Sequence, residues 1–365
     1  MASVERRKDG RPGYVTRWRD EAGKQRKKSF TRKVDADRFR SEVEHRMNTG
    51  TYIDPAAGKM TFQSYAEKWR AMQPHRPNTA ARIGYALGKH VYPVLGQRPV
   101  AQIRTSEIQA LVTGLDLAPS SVRPVYATVR AILGAAVRDR LIGHDPCQRI
   151  KLPELPHEEI VPLTVDQVDA LADAIDPRYR ALVVVGAGAG LRQGELFGLQ
   201  VADVDFLRRT VTLDRQVQPK AGGGTLVGPL KNRASYRTIP LGQVVVDALA
   251  AHLKDYPAKG TAWIFRDPAG NALSRNTFND TWEPARTGAG LPDVTMHDLR
   301  HFYASALIRA GLNPKVVAAR LGHADASMTL KVYTHLWPDD EDRSRQAIDD
   351  VFRRDVPRLR PVKEA

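Results

Sequence analysis

The stretch Lys151-Leu152-Pro153-Glu154-Leu155-Pro156-His157-Glu158-Glu159 constrains this chain more than any other segment. Each proline fixes φ, removes a backbone donor and pushes the residue before it towards extended geometry. Two of them, set among charges with no apolar periodicity, stop a helix and read as an extended linker. A single core running through this point is thereby excluded. The 365 residues are enough for two or three domains at ~150 residues each.

Before the linker the pattern is helical, over Phe62 to Met72, Thr79 to Val91, Ser106 to Leu115 and Ser120 to Leu141. Apolar residues recur there at the spacing of a helix face, which predicts an all-α module over 60–152. Arg82, Lys89, Arg123, Arg130 and Arg138 lie along these helices, where they suit either phosphate contact or an ordinary solvated face.

The first 55 residues form a separate basic module, with 15 Lys and Arg against 9 Asp and Glu. Gly13 to Arg19 mixes aromatic, β-branched and basic residues, Asp20-Glu21-Ala22-Gly23 reads as a turn, and Lys24 to Phe30 resumes basic extension. A helix follows over Thr31 to Met47, with Val34, Phe39, Val43 and Met47 near helical spacing and Gly50 as its stop. Tyr14, Trp18 and Phe30 interleaved with the charge favour a folded DNA binder over a solvated tail.

After the linker Thr164-Val165-Asp166-Gln167 starts a mainly helical region, continued by Ala181 to Ala187, Val244 to Lys254 and His297 to Ala310. Three short antiparallel strands interrupt it: Thr210 to Leu213, Thr225 to Val227 and Tyr236 to Pro240. Ala221-Gly222-Gly223-Gly224 is expected to turn between the first two. The region is expected to span 160–350, with a tail over 351–365.

Composition sets the partner class. Lys and Arg number 56 against 41 Asp and Glu, a net charge of +15, with pI near 10.0. A polyanion is the expected partner, and nucleic acid fits better than a membrane surface because no basic amphipathic anchor or lipidation motif is present. Charge does not separate DNA from RNA. Arginine outnumbers lysine 40 to 16, which suits bidentate phosphate contact and equally a GC-rich genome. Hydrophobic residues at 42% and a mean hydropathy of −0.41 predict soluble packed domains. There is no apolar run of about 18 residues, and the opening MASVERRKDGR lacks a secretory h-region, so a cytoplasmic protein is expected. The lone Cys147 can form neither an internal disulfide nor a thiolate metal site.

Gly186-Ala187-Gly188-Ala189-Gly190 fails as a dinucleotide loop, because Leu191 and Gln193 occupy the third-glycine positions. No P-loop, metal-spaced His/Glu cluster or Gly-x-Ser-x-Gly elbow appears. What remains is a dispersed set: Gly190-Leu191-Arg192-Gln193-Gly194-Glu195-Leu196, Leu230-Lys231, His297-Asp298-Leu299-Arg300-His301, Leu321-Gly322-His323 and Tyr333.

In order and spacing this set resembles the tyrosine recombinase (phage integrase) family, over roughly the last 190 residues, and the two amino-terminal modules resemble those of phage-type integrases. The resemblance implies a multidomain, mainly α fold: a small antiparallel sheet in the catalytic domain, an all-α core-binding domain and a small α+β amino-terminal domain. It implies cleavage and rejoining of double-stranded DNA at core-type and arm-type attachment sites by a homotetramer, through a 3′-phosphotyrosine. Neither metal nor other cofactor is expected. A DNA-bending host factor and an excision factor are implied partners.

The roles follow the motif. Arg192 and Arg300 would neutralise the charge spread over the nonbridging oxygens of a pentavalent phosphorus. Glu195, one helical turn on, would hold a site cation in place. His297 and Arg300 share a helix face, and His297 can carry a proton near neutral pH. His301 is read as a structural hydrogen-bonding residue. His323 is expected in a turn, donating to the phosphate. Lys231, at the tip or edge of a hairpin between the second and third strands, would protonate the leaving 5′ oxygen; Arg233 and Arg237 compete on proximity, and the family position selects Lys231. Tyr333 is the implied nucleophile, with an unperturbed pKa of ~10 that neighbouring groups must overcome. Arg17, Arg19, Lys27, Lys28, Arg82, Lys89, Arg123 and Arg130 are the expected DNA-contacting residues. A chromosome-dimer-resolving recombinase would lack the arm and a type IB topoisomerase would share the chemistry without strand exchange, so the arm argues against both; a catalytically silent DNA-binding regulator would carry the same charge and arm.

Overall fold

The computed structural model describes residues 2–7, 11–19, 23–49, 52, 57–156, 159–220, 223–337 and 341–353. It divides into two compact units, Met1–Pro156 and His157–Ala365.

The first unit opens with β1 (Ser3–Arg6), β2 (Tyr14–Arg19), β3 (Gln25–Phe30) and α1 (Lys33–Asn48). The three strands form an antiparallel sheet in chain order. β1 is additional to the predicted hairpin, because Ser3-Val4-Glu5-Arg6 has no apolar alternation. Of the expected turn only Gly23 is described; Asp20, Glu21 and Ala22 lie outside the described residues, as does Gly50. The sheet shows period-2 burial, with Thr16 and Trp18 buried and Arg17 and Arg19 on the opposite face. Trp18 packs edge-on to Phe39 with centroids 5.3 Å apart, and its indole N–H donates to the Tyr52 hydroxyl at 2.6 Å. Val34 is 69% exposed. The core-facing stripe of α1 is therefore Phe39, Val43 and Met47, and Val34, at the first turn, falls off it.

The rest of this unit is helical: α2 (Phe62–Met72), α3 (Pro77–Ala86) running on through a π turn at Leu87–Val91 into α4 (Tyr92–Leu95), α5 (Thr105–Thr113) and α6 (Pro119–Arg138). Thr61 caps α2 by accepting from the Ser64 N–H. Phe62, Tyr65, Ala66 and Trp69 then fall on one buried stripe, the i, i+3, i+4, i+7 pattern of a core-facing helix. They pack with Val122, Val125, Val129, Ile132 and Leu133 of α6 in one core. Pro119, at the first helical position of α6, costs no hydrogen bond there.

The second unit begins with α7 (Val165–Ala174), started by a capping box in which Thr164 and Gln167 satisfy each other's backbone N–H groups. There follow α8 (Arg180–Ala189), α9 (Gln193–Phe197), β4 (Val204–Asp205), β5 (Thr210–Leu213), β6 (Arg215–Pro219), β7 (Thr225–Pro229), β8 (Arg237–Pro240), α10 (Gln243–Asp255), α11 (Arg275–Gly288), α12 (Met296–Arg309), α13 (Pro314–Leu321), α14 (Ala326–Tyr333) and α15 (Glu341–Arg353). Helix α8 is the centre of the core. Its Gly188 lies so close to α10 that a Cβ there would meet Val245 Cγ2 at 2.3 Å. The small-residue run that resembles a nucleotide loop is thus a helix-packing surface.

The structure corrects the expected three-strand arrangement. β5 pairs with β4 and with β8, while β6 and β7 pair as a separate hairpin. The glycine-rich turn therefore joins β6 to β7, and of it only Gly223 and Gly224 are described, since Ala221 and Gly222 lie outside the described residues. β6 carries no strand signal because Arg215, Gln216 and Gln218 read as a polar connection. Lys231 accordingly lies in the segment linking two sheets and not at the tip of a hairpin. Among the described residues no helix is long and apolar enough to cross a membrane. Residues 354–365, most of the expected tail, lie outside the described residues.

Candidate active site

Helix α12 supplies three of the chemistry-bearing side chains. Its start is fixed by Thr295, whose hydroxyl accepts from the His297 N–H at 3.2 Å; Asp298 Oδ2 accepts from the Thr295 N–H at 2.7 Å. That box sets His297, Arg300 and His301 on the first two turns. Arg300 is 1% exposed. Its Nη1 donates to the Gly190 carbonyl at 2.8 Å and its Nη2 to the Leu321 carbonyl at 2.6 Å. Burial, then the nearby Arg192 charge, pull its pKa down to about 9, which still leaves a cation at neutral pH.

Gly190 can present that carbonyl because it closes α8 in the left-handed region at φ +63°, where glycine carries no steric penalty. Its Cα faces Tyr303 so closely that a Cβ would meet Cδ1 at 2.3 Å. Arg192 follows as the residue before α9. Its Nη1 donates to Glu195 Oε1 at 2.8 Å and its Nη2 to the Gly322 carbonyl at 3.1 Å. Arg192 and Arg300 therefore bind adjacent carbonyls, Gly322 and Leu321, of the turn that carries His323.

That turn closes α13 with Gly322 at φ +65°, and the His323 N–H caps back to the Ala318 carbonyl at 3.0 Å. His323 Nδ1 lies 2.8 Å from Thr329 Oγ1 of α14. Desolvation, then Arg300, Arg192 and Arg237, push its pKa down to about 4. It is a neutral imidazole beside two guanidinium groups.

Glu195 is 1% exposed. Besides Arg192 it takes Arg237, whose Nη2 donates to Oε2 at 2.9 Å. Burial opposes its ionisation, but the hydrogen bonds and charge of Arg237, with those of Arg192, outweigh it and hold the carboxyl below its ordinary value. By proximity in the sequence Arg237 competes for Lys231's role. Its guanidinium is instead spent on Glu195, the Ser235 carbonyl and the Arg320 carbonyl.

Tyr333 ends α14 and is 1% exposed. Its Oη lies 2.6 Å from His301 Nδ1. Desolvation raises the phenol to about 12, with Arg300 opposing. The sequence reads His301 as structural; its partner is the phenol itself. Nothing local in the sequence marks this, since the two residues are 32 positions apart. Desolvation, then His297, hold the His301 pKa at about 4. The His297 ring stands edge-on to it, with centroids 4.7 Å apart. His297 itself keeps solvent exposure, and partial desolvation followed by the Arg300 charge lowers its pKa.

Lys231 is exposed. Its loop reaches the site: Asn232 Oδ1 accepts from the Ser235 N–H and hydroxyl, and Ser235 Oγ accepts from Arg192 at 3.4 Å.

The expected DNA contacts sort differently. Arg17 pairs with Lys27 across the amino-terminal sheet, and Arg19 shares that outer face. Lys28 stands opposite Thr16, on the inner face, with its ammonium 4.5 Å from the centre of the Phe39 ring. Arg123 and Arg130 line one groove of about 840 Å³ with Trp69, Gln73 and Arg138, whereas Arg82 lines another cleft beside Tyr85 and His90. Lys89 donates to the Tyr85 hydroxyl at 2.8 Å.

Residues 162–339 match the phage integrase family and residues 62–152 the phage integrase central domain. The integrase of Mycobacterium phage L5 is 28% identical over 315 residues, covering 83% of this chain and 85% of its own. Among solved structures, the Tn1549 transposon integrase in complex with transposon right end DNA is similar with TM-score 0.68 at 23% identity, covering 80% of this chain and 100% of its own. A lambda integrase tetramer bound to a Holliday junction is similar with TM-score 0.57 at 19% identity, covering 89% of this chain and 96% of its own. At these identities the structural likeness speaks for the fold.

Proposed function

Because this chain belongs to the phage integrase family and is a site-specific tyrosine recombinase, we propose that it cleaves and rejoins double-stranded DNA with Tyr333 as nucleophile. Tyr333 Oη bonds to phosphorus as the bond from phosphorus to the 5′ oxygen breaks. The phenol gives up its proton, and the 5′ oxygen takes one from Lys231 or a histidine. The resulting 3′-phosphotyrosine keeps the energy of the broken bond, so a partner strand's 5′ hydroxyl can reverse the step without ATP.

The observation that carries this reading is the pair of guanidinium groups, Arg192 and Arg300, fixed on consecutive carbonyls beside neutral His323, with Tyr333 tied to the same α12 that supplies Arg300. Fixed cationic donors in a partly buried site stabilise charge developing on phosphoryl oxygens without reorganising at the moment of reaction. His297 and His323 add donors, and Glu195 keeps Arg192 in position.

In the same reading, 60–152 and the catalytic unit grip core-type sites, 1–55 grips arm-type sites, and four protomers exchange strands on two DNA duplexes through a Holliday junction. A DNA-bending host factor and an excision factor would assist, in a bacterial cytoplasm. The basic arm and the intact set of six residues favour an integrase over a chromosome-dimer resolvase or a silent regulator. The test is recombination between two plasmids carrying the DNA that flanks this gene and its candidate chromosomal target. Recombinant junctions recovered by sequencing support the reading; tight binding without junctions, with and without a host extract, contradicts it.

A further inference from the structure

We infer that His301 is a catalytic residue of this site, the hydrogen-bond acceptor that orients the Tyr333 phenol and takes up its proton as Oη bonds to phosphorus. This deepens the proposed function and rests on Tyr333 being the nucleophile.

The contact is short and specific. Nδ1 of His301 stands 2.6 Å from Oη, within reach for direct proton transfer, and the two rings meet at 63° with centroids 5.5 Å apart. Tyr333 at 1% exposure has no bulk water to receive its proton, so a protein group must do so. The phenol needs such help because an uncharged phenol is a poor nucleophile. Burial first, then the neighbouring His297 and the cation Arg300, disfavour a proton on the His301 ring, while Asp298 favours one. The resting ring is neutral, with a lone pair to accept. Ser305 donates to the His301 backbone carbonyl at 2.8 Å and so leaves the ring itself to Tyr333.

The step balances. The phenolic O–H bond breaks and its proton passes to His301 Nδ1, Oη bonds to phosphorus, the bond to the 5′ oxygen breaks, and that oxygen is protonated by Lys231 or another histidine. In rejoining, His301 returns the proton to the departing phenol. Acceptor and donor are thus different residues, which makes the role separable from that of Lys231.

The test compares full-length wild type, His301→Phe, Lys231→Ala and Tyr333→Phe, first on a supercoiled plasmid bearing the DNA that flanks this gene. A duplex with sulfur in place of the bridging 5′ oxygen at the mapped cleavage position follows, since a thiolate leaves without a proton. His301→Phe is expected to bind DNA as wild type does and to form SDS-stable adducts at least ~100-fold more slowly at pH 7. Its rate should climb about tenfold per pH unit where the wild type is flat, and sulfur should rescue Lys231→Ala but not His301→Phe. A wild-type rate, a wild-type pH profile, or rescue of His301→Phe by sulfur overturns the inference. Should the phenylalanine variant fail to fold, His301→Asn, which keeps an acceptor near Nδ1 without its basicity, decides by the same readouts. Adducts formed by Tyr333→Phe would instead overturn the nucleophile reading on which the inference rests.

Discussion

Arg237 grips the Glu195 carboxylate with both prongs of its guanidinium, Nη1 to Oε1 at 3.2 Å and Nη2 to Oε2 at 2.9 Å. The two residues come from β8 and α9, 42 positions apart, and Arg192 joins them on Oε1. One buried carboxylate thus serves as the ion-pair partner of both arginines.

Removing that carboxylate strands two cations, one of them buried. Glu195→Gln is expected to destabilise the chain by about 3–5 kcal/mol, the range for breaking one partner of a buried pair, read as a lower urea-unfolding midpoint. The pH dependence has a definite sign. The folded carboxyl titrates below its unfolded value, so its stabilisation is present above the unfolded pKa of ~4.3 and is lost as pH falls through the folded one. The glutamine variant should lack that acid limb.

Two histidines extend acid sensitivity upwards. His301 and His323 titrate at about 4 in the folded chain against ~6.5 unfolded. A base whose folded pKa is depressed favours the neutral native form, so stability is full above ~6.5 and falls as pH drops towards 4. Urea midpoints at pH 7.5 and pH 5 should therefore differ, the lower belonging to pH 5. Unfolding at pH 5 should take up protons, and fewer of them in His301→Phe.

Gly190→Ala tests the support of Arg300. Alanine meets both a left-handed backbone at φ +63° and the Tyr303 ring at 2.3 Å. A loss of about 1–3 kcal/mol is expected from backbone and packing strain together. DNA cleavage should fall by more than the unfolded fraction explains, because the Gly190 carbonyl orients Arg300.

The amino-terminal sheet separates its basic residues by face. Replacing Arg17, Arg19 and Lys27 with alanine should weaken arm-site DNA binding and flatten its salt dependence, by roughly one unit of log–log slope for each phosphate no longer neutralised. Lys28→Met should leave the slope unchanged, because that ammonium lies over Phe39. Fluorescence anisotropy across a salt series distinguishes the two.

Much of the fold is legible because burial imposes periodicity. The α2 stripe of Phe62, Tyr65, Ala66 and Trp69 and the Thr164 capping box can be read from the letters alone. β6 and α11 cannot: the first is edged with Arg215, Gln216 and Gln218, and the second carries Pro284 inside it with few apolar positions. At the site, residue types at motif spacing are readable, whereas their supports are not. Arg300 rests on the carbonyls of Gly190 and Leu321, and a backbone carbonyl has no sequence signature. The Glu195–Arg237 and His301–Tyr333 pairs join segments that only tertiary folding brings together.

Covalent capture tests Tyr333 as the nucleophile. Wild type and Tyr333→Phe are mixed with supercoiled plasmid bearing the DNA that flanks this gene and quenched with SDS. Protein-linked DNA, removable by protease, is expected with wild type alone. Adducts with the phenylalanine variant, or none with either protein despite tight binding of both, would contradict it.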